Sequence, residues 1–193
     1  MKALVSQETE VAAAVNVPSN HPLYILHTSG TTGDPKGIVR DHGGTTVALN
    51  YSLSSAYNLN PGYNWFTAAD LGWVVGHTLI CYGPLLRGCT SILFEGKPVI
   101  PDAGVLWRIA EMYKVNSIFT APTAVREIMK RDQTGSLLKN YDLSALESFH
   151  VAGERTDPFT IWWMRKHMPH VYLNDSYWQT ETGWPVGTNF LNR

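Results

Sequence analysis

Short apolar runs alternate along this chain with longer stretches of helical spacing, and that alternation restricts its fold more than any other feature. The runs occupy residues 23–27, 65–68, 91–94, 117–120, 148–152 and 171–174, each too short for an independent helix. Between them, residues 45–56 and 77–86 have helical character. Asp102 is placed to cap a helix carrying Leu106, Ile109, Ala110 and Tyr113. Pro122 fits the first turn of another, with Val125, Ile128 and Met129 as its apolar face. Asp157-Pro158 opens a third, whose Phe159, Trp162 and Trp163 are expected to face one way. Strand–helix repetition with short connections predicts an α/β fold, a largely parallel sheet flanked by helices. With 193 residues, 44% of them hydrophobic, the chain is large enough for one domain with a real core.

In such sheets ligands gather beyond the carboxyl ends of the strands. Three polar segments follow expected strands and therefore converge on one rim: residues 28–36, 152–155 and 175–182. The first reads Thr28-Ser29-Gly30-Thr31-Thr32-Gly33-Asp34-Pro35-Lys36-Gly37. Its glycines allow backbone N–H groups close approach, its hydroxyls donate to phosphate oxygens, and Lys36 supplies a point charge. This is a polyphosphate cradle in chemistry, but not a Walker A loop. That motif needs glycine where Pro35 stands and a hydroxyl where Gly37 stands.

The third segment reads Asp175-Ser176-Tyr177-Trp178-Gln179-Thr180-Glu181-Thr182-Gly183. Two adjacent aromatic rings can stack on a purine or close an apolar pocket. Glu181 offers a hard oxygen to Mg²⁺, which is commonly held by one or two carboxylates plus substrate phosphates. Taken alone, such a segment is more often a structural turn.

Several function classes are excluded. A net charge of −1 without a Lys/Arg cluster gives no nucleic-acid footprint. No apolar run reaches membrane-spanning length. The opening twenty residues lack a signal-peptide pattern, and Glu8 and Glu10 argue against a transit peptide. Cys81 and Cys89 sit in apolar surroundings and read as two buried free thiols, weakly favouring a reducing compartment. Asp70 is expected to cap the helix after it. His77 reads as a hydrogen-bonded helix histidine, and His42, His150, His167 and His170 as solvated or core residues.

TSGTTGDPKG followed by YWQTETG resembles the adenylate-forming enzymes. The text between them, TAADLGWVVGHTLICYGPLLRG, FEGKP and FTAPTAVREI, is similar to the short-chain acyl-CoA synthetases. VAGER with EGKPVIPDAG looks closest to their propionate-type branch. The resemblance runs from Leu23 to Gly187. It implies ATP-dependent activation of a short carboxylate to an acyl-adenylate, then acyl transfer to coenzyme A.

Carried over by motif, Thr28, Ser29, Gly30, Thr31, Thr32, Gly33 and Lys36 hold the ATP phosphates. Glu181 is the Mg²⁺ ligand, and Thr180 lies beside the α-phosphate and the reacting carboxylate. Gly153, Glu154 and Arg155 form one wall for adenine; Asp175, Ser176 and Tyr177 form the other. Tyr177 stands where a tryptophan is expected, Arg155 where acetate enzymes carry proline, and His27 where tyrosine is usual. Val74, Val75, Ala152 and Trp178 line the acyl pocket, Trp178 restricting it to short acids. Acetate-specific members carry valine at the Ala152 position, so alanine there favours propionate.

The resemblance also divides the chain into a lead-in, residues 1–20, and a partial AMP-binding domain, residues 21–193. Against the family, this text lacks an N-terminal part that contributes to the CoA site. It also lacks the ribose-binding aspartate and arginine, and the mobile C-terminal domain with its assisting lysine. The apolar helix face bearing Phe159, Trp162, Trp163 and Met164 then calls for a covering protein partner. Relatives make both the mitochondrial matrix and the cytoplasm plausible. The alternative function is a non-catalytic remnant, a nucleotide-binding or structural subunit.

Overall fold

The computed structural model describes residues 12–29 and 33–190. Its centre is a five-stranded, wholly parallel sheet in the order β4-β3-β5-β6-β7. These strands are β3 (Asn64–Ala68), β4 (Thr90–Ile92), β5 (Ser117–Thr120), β6 (Ser148–Ala152) and β7 (Tyr172–Ser176). The α/β reading therefore holds.

The first expected strand departs from it. β1 (Pro22–Thr28) pairs antiparallel with β2 (Lys36–Asp41) as a separate hairpin, with Thr28 opposite Lys36. Lys36 and Gly37, read from sequence as loop, are thus in a strand. The reason is geometric: antiparallel strands need only a turn between them, whereas a parallel neighbour needs a crossover of a dozen residues or more.

Helices cover both faces of the sheet. α1 (His42–Ser55) starts at Asp41, whose carboxylate accepts from Gly44 N at 2.6 Å. α2 joins three contiguous pieces, Val74–Gly76, the π-helical His77–Tyr82 and Gly83–Leu86. α3 (Val105–Met112), α4 (Pro122–Arg131) and α5 (Pro158–His167) complete the set. Period-two alternation sorts the strands between two cores. Trp65, Phe119 and Ala152 pack toward α1 and α2, with Leu49, Leu53, Tyr57 and Leu79. Phe66, Ile118, Phe149 and Val151 pack toward α3, α4 and α5, with Leu106, Ile128, Trp163 and Met164.

Local details correct four expectations. Asp102 does not occupy the N-cap of α3, which belongs to Gly104; it stands two residues earlier, where its Oδ1 accepts from Gly104 N at 2.8 Å. Asp70 likewise bonds Gly72 N at 2.7 Å, while Trp73 holds the cap position of α2. Cys89 is buried, and burial pushes its thiol pKa up, but Cys81 is exposed. The π-helical segment turns Thr78, Leu79 and Ile80 inward and leaves Cys81 outside.

On α5, Trp163 and Met164 are buried beside Thr160, whereas Phe159 and Trp162 are exposed and stacked on each other. Trp162 lies 100° around the helix from Trp163, too far to share its face. Asp157 caps this helix as expected, accepting from Thr160 N at 2.9 Å and from its hydroxyl at 2.7 Å. Asp157→Ala is expected to cost about 1–2 kcal/mol in urea unfolding. An unchanged midpoint would remove this cap from the account of α5.

Candidate active site

The carboxyl ends of β3, β5, β6 and β7 open onto two adjoining cavities. One, about 420 Å³, is lined by Val74 and Val75 from α2, Ala152 at the end of β6, and Trp178 and Thr180 beyond β7. These are the four residues expected to line an acyl pocket and one catalytic candidate, brought together from three separate parts of the chain. Phe119 on β5 forms a further wall. Its ring meets Trp178 edge-on at 6.2 Å and 83°, so Trp178 rests on a buried aromatic support. Sequence reading missed Phe119, whose only signal was an inward position in an expected strand.

The second cavity, about 510 Å³, has Gly153, Glu154 and Arg155 on one side and Asp175, Ser176 and Tyr177 on the other. It shares Gly153 and Trp178 with the first. Gly153 has φ +104°, a backbone conformation that favours glycine. The Glu154 carboxylate turns to α4, pairing with Arg126 at 2.7 Å and accepting from Thr123 N at 3.0 Å. Asp175 accepts from Thr156 N at 3.3 Å and so ties the two walls together. Tyr177 is 66% exposed, and its backbone pairs with Gly187 in both directions. An exposed phenol ring held on a fixed backbone offers a face for stacking.

Beyond Trp178 the chain makes a tight turn. Gly183 N donates to Gln179 O at 3.0 Å, and Thr78 Oγ1 donates to Gly183 O at 2.9 Å from α2. Arg40 on β2 donates to Thr180 O at 2.9 Å and Glu181 O at 2.6 Å, and lies 5.1 Å from the Trp184 ring centroid. Arg40 also escaped the sequence reading, because its partners are backbone carbonyls 140 and 141 positions away. It joins the hairpin to the rim, although the hairpin is outside the parallel sheet. The hairpin docks a second time through Tyr24, whose ring stacks on Tyr82 at 5.8 Å and lies 4.8 Å from His77. His77 itself bonds Trp73 O through Nδ1 at 3.1 Å and packs as a helix residue.

Of the residues expected to hold phosphates, Thr28 is half-buried at the end of β1, Ser29 and Lys36 are exposed, and Gly33 has φ +104°. Gly30, Thr31 and Thr32 lie outside the described residues. The Glu181 side chain is exposed and has no hydrogen bond or ion pair among the described residues. Nor do the described residues gather three His, Cys, Asp or Glu side chains in metal-binding geometry. One unpaired carboxylate fits a Mg²⁺ ion held mostly by phosphate oxygens and water, not a protein-built cage.

The sequence pattern of the AMP-binding enzymes matches residues 2–193. This chain belongs to the AMP-binding enzyme family. It is 52% identical over 173 residues to acyl-CoA synthetase short-chain family member B, mitochondrial, of Dictyostelium discoideum, covering 90% of this chain and 25% of that protein. The human acyl-CoA synthetase short-chain family member 3, mitochondrial, is 53% identical over 173 residues, 89% of this chain and 25% of its own length. The propionate–CoA ligase of Salmonella typhimurium is 48% identical over 168 residues, 87% and 26% respectively. The AMP-binding chain thus spans about a quarter of the length of these relatives. No helix among its described residues is long and apolar enough to cross a membrane.

Proposed function

We propose that this chain is part of an AMP-forming short-chain acyl-CoA synthetase that activates propionate, and less readily acetate. ATP, the acid and coenzyme A are its substrates, with Mg²⁺ accompanying the nucleotide. The observation that carries this reading is the adjacency of the two cavities. A small apolar one, lined by Val74, Val75, Ala152 and Trp178, meets a cleft with an exposed ring and a glycine floor. An acid seated in the first presents its carboxylate where the second would hold the nucleotide's α-phosphate.

The chemical obstacle is repulsion between an anionic nucleophile and a polyanionic nucleotide. Lys36 places one cation on the phosphate side, and the hydroxyls of Thr28 and Ser29 can donate to phosphate oxygens. Thr180, lining the acyl cavity, is positioned to donate to the carboxylate. Trp178 and Phe119 close the apolar end, so chain length is read by contact. Mg²⁺, held by Glu181 together with phosphate oxygens, would supply neutralising charge and orient the phosphates. Relatives named as mitochondrial, and one from a bacterium, fit a matrix or cytoplasmic setting.

The test is exchange of labelled pyrophosphate into ATP by the intact protein. Exchange should depend on propionate and fall by about 100-fold in Glu181→Gln. Absence of carboxylate-dependent exchange, with nucleotide still bound, would favour a non-catalytic nucleotide-binding subunit.

A further inference from the structure

We infer that Arg40 is a positioning residue that sets the Mg²⁺-nucleotide site by locking the turn carrying Thr180 and Glu181 onto the hairpin carrying the phosphate loop. The inference rests on the reading of Glu181 as the carboxylate that meets Mg²⁺. It adds a residue that none of the site motifs contains.

The geometry is specific. Arg40 Nη2 bonds two successive carbonyls, Thr180 O at 2.9 Å and Glu181 O at 2.6 Å. A cation–π contact, Cζ 5.1 Å from the Trp184 ring centroid, gives the guanidinium a further hold. Gly183 completes the fit: its φ is +78°, and a Cβ there would lie 2.8 Å from Arg40 Nη2 and 2.9 Å from Cζ. The turn can close on the guanidinium only because position 183 has no side chain. Thr78 holds the Gly183 carbonyl from the other side. Both carbonyl anchors of residues 180 and 181 therefore come from β2, while the Glu181 side chain remains exposed.

Arg40 and Lys36 lie on one face of β2, four residues and so about 13 Å apart. A single rigid strand thus carries a phosphate cation at one end and the anchor of the Glu181 turn at the other. Without Arg40 the turn loses its registration to the phosphate loop, and the carboxylate must find the metal from a wider set of positions. Lysine cannot restore the arrangement fully, because a compact ammonium lacks the planar fork and stacks poorly.

The experiment measures ATP binding to the intact protein by calorimetry across a Mg²⁺ titration, alongside thermal melting. Arg40→Ala should raise the Mg²⁺ concentration for half-maximal ATP binding about tenfold, since the two lost charged hydrogen bonds act on the metal only through the position of the turn. Arg40→Lys should fall between, and added guanidinium, but not sodium at equal ionic strength, should partly restore Arg40→Ala. Gly183→Ala should reproduce the shift by displacing the guanidinium. An unchanged Mg²⁺ midpoint in folded Arg40→Ala overturns the inference. If Arg40→Ala does not fold, Arg40→Lys and Gly183→Ala decide it by the same midpoint. Wild-type protein that binds MgATP without carboxylate-dependent exchange would sink the synthetase reading while leaving Arg40 to be judged by the midpoint. Wild-type protein that binds no MgATP sinks both.

Discussion

Replacing Ala152 by valine is expected to move the propionate/acetate ratio of kcat/KM toward acetate by about 10–200-fold. Ala152 is the last residue of β6, only 4% exposed to solvent, and lines the 420 Å³ cavity together with Trp178. Its neighbours cannot retreat. Phe119 is buried and braced by Tyr57, whose ring meets it at 6.1 Å and 74°. Two added methyl groups must therefore occupy cavity space that the third carbon of propionate would otherwise fill. Acetate, shorter by that carbon, loses little. Overpacking costs typically 1–3 kcal/mol, so the melting temperature is read with the kinetics to separate a smaller pocket from a weaker fold. A ratio unchanged in a folded variant would defeat the assignment of Ala152 to the acyl wall.

The second large effect is acid sensitivity centred on His150. This residue sits mid-strand in β6 with no solvent exposure, and its ring nitrogens make no hydrogen bond of good geometry among the described residues, the Tyr57 backbone offering only a weak one. Tyr57 packs edge-on at 4.8 Å, with Trp65 and Tyr172 beyond it. Burial among these rings pushes its pKa down from 6.5 to about 3. The unfolded chain therefore binds a proton that the folded chain refuses between those values. Stability is complete above pH 6.5 and declines as pH falls toward 3. The loss should reach about 2 kcal/mol by pH 5.

Burial also lowers His167, which adds in the same direction. The carboxylates Asp102, Glu127 and Asp157 are held low chiefly by side-chain hydrogen bonds from Arg108, Lys130 and Thr160, so the stability they add is lost only as pH falls below the ordinary carboxylate range, beneath about pH 5. Urea unfolding at pH 7 and pH 5 should show His150→Leu losing much less stability than wild type. A variant that keeps the wild-type slope would move the acid sensitivity elsewhere.

Both effects arise on strand β6, and they show what was legible beforehand. Its apolar run identified it as a strand, and motif resemblance identified Ala152 as pocket wall. Neither indicated that His150 shares the Ala152 face above Tyr57, because which side of a strand is inward depends on what packs there. Phe159, Trp162 and Trp163 make the same point on α5. Their spacing predicted one apolar face, but contact with α4 selected Trp163 and left the other two stacked in solvent. Exposure of that pair does not by itself support a covering protein partner.

By itself, the sequence determined the alternation that makes a parallel α/β sheet and the loops at its rim. Local chemistry is enough for these, since strand runs, helix caps and glycine turns are written within a few residues. It also carried the motifs on which the proposed nucleotide and acid sites rest. Tertiary structure alone decided that β1 leaves the sheet for a hairpin, that Phe119 supports Trp178, and that Arg40 grips residues 140 positions away. Each of these is a contact between distant segments. The guanidinium's partners are backbone carbonyls, which every residue possesses, so no side-chain pattern could announce them.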